Sequence, residues 1–231
     1  YQTDYVNTVD APERSALFAL GVCEFRKGDY ENAKTHVGAV TDADDVMAQS
    51  AYLFMGQMYL KDDNLNAAAL AFEKAYKMPY DESTRETAFY NYALAQSRGG
   101  RTPFSSSVKL FQDFLNKFPN SRYASNVEDY IINSYMTSKD YDNALLCIEA
   151  LKSPSAKMMK AKQNVLYRLG MRELQAGKTA SAADFLTRAD ELAQYDSKVA
   201  QEVKLWLAET RYRQKKYKQA QTLYNQYVIN A

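Results

Sequence analysis

The chain is poor in the residues that usually carry chemistry, with two cysteines, one histidine and one tryptophan among 231 residues. A zinc site needs about four His or Cys ligands, and three such side chains cannot supply one. No uninterrupted apolar run approaches the ~18 residues of a membrane span. Glycine and proline are also scarce, at 8 and 5, so long flexible linkers and low-complexity tails are excluded. The formal net charge is only +1, yet it is unevenly placed. Residues 1–90 carry 8 Lys and Arg against 15 Asp and Glu, a net of −7, and residues 91–231 carry 21 against 13, a net of +8. Such asymmetry can orient a partner or promote head-to-tail contacts. No secretory signal is visible, and because the chain starts at Tyr1 we expect a leader or further repeats to precede it in a longer protein.

What the chain does have is a repeat. A small residue follows three places after Tyr, Leu, Phe or Thr in six turn-led stretches. They begin Gly28-Asp29-Tyr30, Asp63-Asn64-Leu65, Thr102-Pro103-Phe104, Lys139-Asp140-Tyr141, Gly177-Lys178-Thr179 and Lys215-Lys216-Tyr217. The small residues Ala33, Ala68, Ser107, Ala144, Ala182 and Ala220 step by 35, 39, 37, 38 and 38 residues, the period of an array of helical pairs. Upstream lies a second column at Gly21, Gly56, Ala93, Ile132, Gly170 and Ala208, in which Ile132 is the bulky exception. Small side chains are needed where two antiparallel backbones cross closely. Leu20, Met55, Tyr92, Ile131, Leu169 and Leu207 precede the upstream column and Val37, Phe72, Phe111, Ile148, Leu186 and Tyr224 follow four after the downstream one, which fills the seam. Breaks are expected near Pro79, Gly99-Gly100, Pro119 and Pro154.

This pattern resembles the tetratricopeptide repeat, most closely in the second unit, with Tyr52, Met55-Gly56, Tyr59, Ala68, Phe72, Ala75 and the closing Pro79. The resemblance spans roughly residues 12–230 in units of about 12–41, 47–78, 84–118, 121–152, 158–193 and 197–230. It implies an all-α fold, a right-handed α-α superhelix of about six antiparallel helical pairs forming a single solenoid. The long period, with Phe118-Pro119-Asn120-Ser121 between units, is similar to a bacterial envelope-associated branch and implies a periplasmic or envelope location.

Other motifs resolve into parts of the repeat. Gly177-Lys178-Thr179 mimics the end of a phosphate-binding loop, but the earlier glycine would fall at Arg172 and a helix, not a strand, precedes it. Asp42, Asp44 and Asp45 lack the closing Glu of a calcium loop and suit a helix-capping turn. Arg211, Arg213, Lys215, Lys216 and Lys218 interleave with Tyr212 and Tyr217 as a single-stranded nucleic acid site would. They also straddle a helix C-terminus, where cations complement the dipole. His36 is expected to be a partly exposed helical residue, and Cys23 and Cys147 to be buried thiols several helices apart. No enzyme activity, cofactor, metal or nucleic acid is expected.

In proteins of this family the first helix of each pair lines the ligand surface, and ligands are extended or helical peptides. Carried over, that surface comprises Phe18, Val22 and Arg26, then Leu53 and Gln57, then Tyr90, Leu94 and Arg98. Asn133, Tyr167, Met171, Tyr212 and Arg213 continue it, with Asp129, Met136, Leu205 and Glu209 alongside. The alternative is that half of these pack between neighbouring repeats. The Lys and Asn places of the clamp that grips chaperone C-termini hold Phe18 and Val22 here, so that clamp is absent. The expected function is a non-catalytic protein–protein interaction scaffold holding a peptide or protein segment. The alternative is a regulatory or substrate-presenting segment of a larger enzyme or signalling protein.

Overall fold

The computed structural model describes residues 13–99 and 104–230, which form twelve helices and no strand. The Gly100-Arg101-Thr102-Pro103 part of the third expected turn lies outside the described residues. The chain divides into two compact units, Tyr1–Ser121 and Arg122–Ala231. The first holds α1 (Arg14–Lys27), α2 (Tyr30–Gly38), α3 (Val46–Lys61), α4 (Leu65–Lys77), α5 (Glu82–Arg98) and α6 (Phe104–Lys117). The second holds α7 (Ala124–Ser138), α8 (Tyr141–Glu149), α9 (Ala156–Gln175), α10 (Thr179–Asp190), α11 (Ser197–Arg213) and α12 (Tyr217–Asn230). The helices thus come in consecutive pairs, as the period predicts.

Each described turn inside a pair uses one device. Gly28, Asp63, Lys139, Gly177 and Lys215 have φ of 85°, 55°, 56°, 76° and 60°, the only positive values among the described residues, and each lies five places before the downstream small residue. A left-handed residue lets the next N–H reach back to the last turn of the first helix. Asp29, Asn64, Lys178 and Lys216 do so, to the carbonyls of Glu24, Tyr59, Glu173 and Arg211 at 2.9–3.0 Å. The residue making that reach then caps the second helix where its side chain allows. Asp29, Asn64 and Asp140 accept from the N–H groups of Asn32, Ala67 and Asn143. First helices are capped by Asp45, Asp81, Ser155 and Asp196. A left-handed lysine costs about 1–2 kcal/mol that glycine avoids. Lys215→Gly, exposed and with no packing to lose, is therefore expected to raise stability by about 0.5–1 kcal/mol, measured as a higher urea midpoint at unchanged m-value.

The small columns are where the helices of a pair touch. All six downstream residues are buried, from Ala33 at 0% to Ser107 at 4% exposure. A Cβ added at Gly21 would meet Val37 Cγ2 at 2.6 Å, one at Gly56 would meet the Phe72 ring at 2.5 Å, and one at Gly170 would meet Leu186 Cγ at 2.7 Å. Val37, Phe72 and Leu186 are the side chains four after the downstream column, and all are fully buried. They occupy the space that the glycines leave. Ile132 cannot act in this way. In its pair Ile131 and Tyr135 turn inward instead, Ile132 stays half-exposed, and α7 and α8 contact each other less extensively than the helices of the fifth and sixth pairs.

A polar position repeats as well, seven residues before the upstream column. Gln49 is fully buried, and its Nε2 lies 3.1, 2.7 and 3.2 Å from the carbonyls of Ala75, Met78 and Asp81, while its Oε1 accepts from the Asp81 N–H at 2.7 Å. Arg14 in the first pair donates to the Val40 carbonyl and Asp45, Glu86 in the third accepts from Ser121, and Gln163 in the fifth donates to the Asp196 carbonyl. Each ties a first helix to the stretch leading into the next first helix. Within a unit, at the first, second and fifth pairs, these bonds join consecutive pairs, which the small columns do not.

Candidate functional site

First helices pack on two sides, against their own partner and against the neighbouring pairs, and the remaining stripe is what a ligand could reach. Phe18, Val22, Leu53, Gln57, Tyr90, Leu94, Tyr167 and Met171 are half-buried there, and Arg26, Arg98, Asn133, Tyr212 and Arg213 are exposed. The aromatic members differ in their surroundings. Phe18 meets Phe54 edge-on with centroids 6.0 Å apart, and Tyr90 tilts against the buried Phe114 at 6.0 Å. Burial pushes the Tyr167 hydroxyl above its ordinary pKa, with Glu202 adding to the effect. Tyr212 stands 55% exposed, edge-on to Tyr217 at 5.5 Å, in front of the exposed Lys215, Lys216 and Lys218. Arg213 reaches back to Glu209 at 2.7 Å.

In the second unit the stripe deepens into a cavity of about 410 Å³ between α7, α9 and the start of α11. Ile132, Met136 and Ala161 give it an apolar lining, and Asn164 and Arg168 stand one turn apart on α9. Two ion pairs frame it, Lys157 with Asp129 at 2.6 Å and Lys160 with Asp196 at 3.0 Å. Lys160, together with the N–H groups of Val199 and Lys198 that Asp196 caps, holds the Asp196 carboxyl below the usual carboxylate range. Asp129 and Met136, expected on this stripe, are part of the cavity, whereas Asn133 and Tyr167 are not among its lining residues.

In the first unit two hollows lie beside a second helix. Leu70, on the second helix α4, is 63% exposed and borders two hollows of about 260 and 250 Å³, one towards Ala95, Gln96 and Gly99 and one towards Tyr52, Met55 and Tyr59. Leu70 was not among the expected ligand residues. Its signal is an apolar side chain two places after the buried Ala68, and so off the packed face of α4.

The remaining motifs take structural places. Gly177 is the left-handed residue of the fifth turn. Asp45 caps α3 and pairs with Arg14 at 2.7 Å, and Asp42 stands 3.5 Å from the same guanidinium, so the acidic turn serves the joint between the first two pairs. His36 is mostly buried, with Nδ1 2.7 Å from Glu24 across the α1–α2 seam. Cys147 is buried, but Cys23 is exposed, contrary to expectation. It lies two residues past Gly21, about 200° around the helix from the packed face. Among the described residues no group of three or more His, Cys, Asp and Glu converges as a metal site requires, and no helix is long and apolar enough to cross a membrane.

No curated protein matches the chain. Among solved structures, PilF of Pseudomonas aeruginosa is similar at 15% identity and a TM-score of 0.36, over 94% of this chain and 76% of that one. The apo form of the quorum sensor NprR from B. thuringiensis is similar at 14% and 0.41, over 94% and 64%. The tetratricopeptide domain of P58(IPK) is similar at 15% and 0.40, over 93% and 59%. The tetratricopeptide-repeat family model matches residues 87–121 and 202–230, the third and sixth helical pairs described above. Two of the six helical pairs thus match the tetratricopeptide-repeat family model, and the chain is similar to that family there.

Proposed function

We infer that the protein holds an extended segment of a partner protein against the outward stripe of its first helices, separately in each unit. The observation that carries this is the set of large apolar side chains, Leu53, Leu94, Tyr167 and Met171, that remain only half-covered after every helix has packed. Apolar anchors at helical spacing beside amide and guanidinium donors are what a peptide groove offers. Gln57, Arg98 and Asn133 supply such donors.

Capturing the partner from a lysate, identifying it by mass spectrometry and following hydrogen exchange in the purified complex tests this. Slowed exchange in α3 and α5, or in α9 and α11, is the expected result. Slowing confined to α4 around Leu70 would favour a second docking face, which the two hollows beside that exposed side chain support. A footprint on neither face would sink both.

Alanine substitution of the four aromatic residues separates packing from binding. Tyr212→Ala is expected to cost less than about 1 kcal/mol, because its ring is mostly in water. Phe18→Ala, Tyr90→Ala and Tyr167→Ala, half-buried, should each cost about 1–3 kcal/mol, below the 3–5 of a fully buried aromatic. Thermal melts give the ranking, and a Tyr212→Ala loss as large as the other three would show that its ring packs in the folded protein.

A further inference from the structure

The cavity in the second unit has a chemical preference built into its donors. Its two lysines are already engaged, Lys157 with Asp129 and Lys160 with Asp196. Arg168 is exposed and has no carboxylate partner among the described residues. Its guanidinium carbon instead stands 5.9 Å from the centroid of the Tyr167 ring. Asn164, one turn earlier and half-buried, has no hydrogen-bond partner there either. The cavity therefore presents one uncompensated cation and one open amide above Ile132, Met136 and Ala161. The surrounding field has the same sign, because residues Arg122–Ala231 carry 17 Lys and Arg against 12 Asp and Glu, a net of +5.

We propose that this cavity selects an extended partner segment in which an acidic side chain is flanked by aliphatic ones. Resting on the groove reading above, the proposal names the chemistry of the segment. The carboxylate would take the two-pronged guanidinium of Arg168, which suits planar anions better than an ammonium does. The Asn164 amide can donate to a backbone carbonyl and accept from a backbone N–H, and an aliphatic neighbour would fill the space over Ile132 and Met136. The volume, about 410 Å³, is in the roughly 300–1,000 Å³ range of sites that enclose small groups. An unpaired buried acid would be rejected at an apolar site, and an unpaired cation makes the opposite choice.

The test is an array of capped heptapeptides in which Glu, Gln or Lys is fixed at the centre between two leucines and the outer positions are randomised. It is probed with the whole protein at low salt. Glu peptides should be retained roughly tenfold better than Gln peptides, the scale of one charge-assisted hydrogen bond, and Lys peptides least. Arg168→Gln should equalise Glu and Gln while leaving Gln binding unchanged. Asn164→Ala should weaken both sets alike. Salt at 0.5 M should compress the Glu preference, because the pair is solvent-facing. Both substitutions are at exposed or half-exposed positions, and unchanged melting would confirm that each variant folds. Equal retention of Glu and Gln peptides by the parent protein, or a Glu preference that survives Arg168→Gln, overturns the proposal. If all three sets bind equally and Tyr167→Ala weakens them equally, the groove stands and only its acid selectivity falls. If no set binds, this proposal falls, while the groove is judged separately by the exchange footprint of the captured partner.

Discussion

Gly56→Leu is expected to destabilise the first unit by about 2–3 kcal/mol, near the upper end of overpacking costs. The first added atom would already stand 2.5 Å from two carbons of the Phe72 ring, which is fully buried and has no space to move into. Leucine gains about 0.8 kcal/mol over glycine in helix propensity, too little to offset the clash. Phe72→Ala alone should cost about 3–5 kcal/mol by leaving a cavity. In the double variant the leucine can enter the space the ring vacates, so its loss should be smaller than the sum of the two single losses. Urea unfolding of the four proteins measures this coupling. Additive losses, or a Gly56→Leu protein that melts with the parent, would show that the two columns do not face each other.

Gln49→Leu is expected to cost about 2–4 kcal/mol, although it exchanges one buried side chain for another of similar size. The amide holds the last turn of α4 and the N-cap residue of α5 together, and leucine would leave the carbonyls of Ala75 and Met78 and the Asp81 N–H to find other partners. Gln163 provides the comparison. It occupies the same place in the fifth pair and is equally buried, yet it makes one bond to the Asp196 carbonyl and its Oε1 has no partner among the described residues. Replacing it removes a buried, unsatisfied acceptor along with one hydrogen bond, so Gln163→Leu should cost less than about 1 kcal/mol. Chemical denaturation of both variants decides the matter. Equal losses would mean that burial of the side chain, and not the bonds at the joint, is what these positions contribute.

The sequence determined the pairing of helices, because the causes are local or periodic. The small residues stepping by 35–39 places, the turn-led stretches ahead of them, and the mostly Gly and Ala column upstream of Val37, Phe72 and Leu186 can all be counted along the chain. It did not show that Gln49 and Gln163 are buried ties. An isolated glutamine looks like a surface residue until a third helix brings backbone groups to it.

Nor did spacing alone decide which stripe stays open. Phe18 and Tyr90 lie at the expected first-helix positions, but the rings they meet, Phe54 and Phe114, belong to other helices. The cavity beside Arg168 requires three elements, α7, α9 and the start of α11, and arises partly because Ile132 is too large for the seam and turns outward. Leu70 became a surface feature for the related reason that the described residues of the first unit leave its face of α4 uncovered. Helix formation and pairing depend on residues within one period, and the sequence therefore determined them. Which side chains remain uncovered depends on what three helices from different repeats leave between them, and only the tertiary structure decided that.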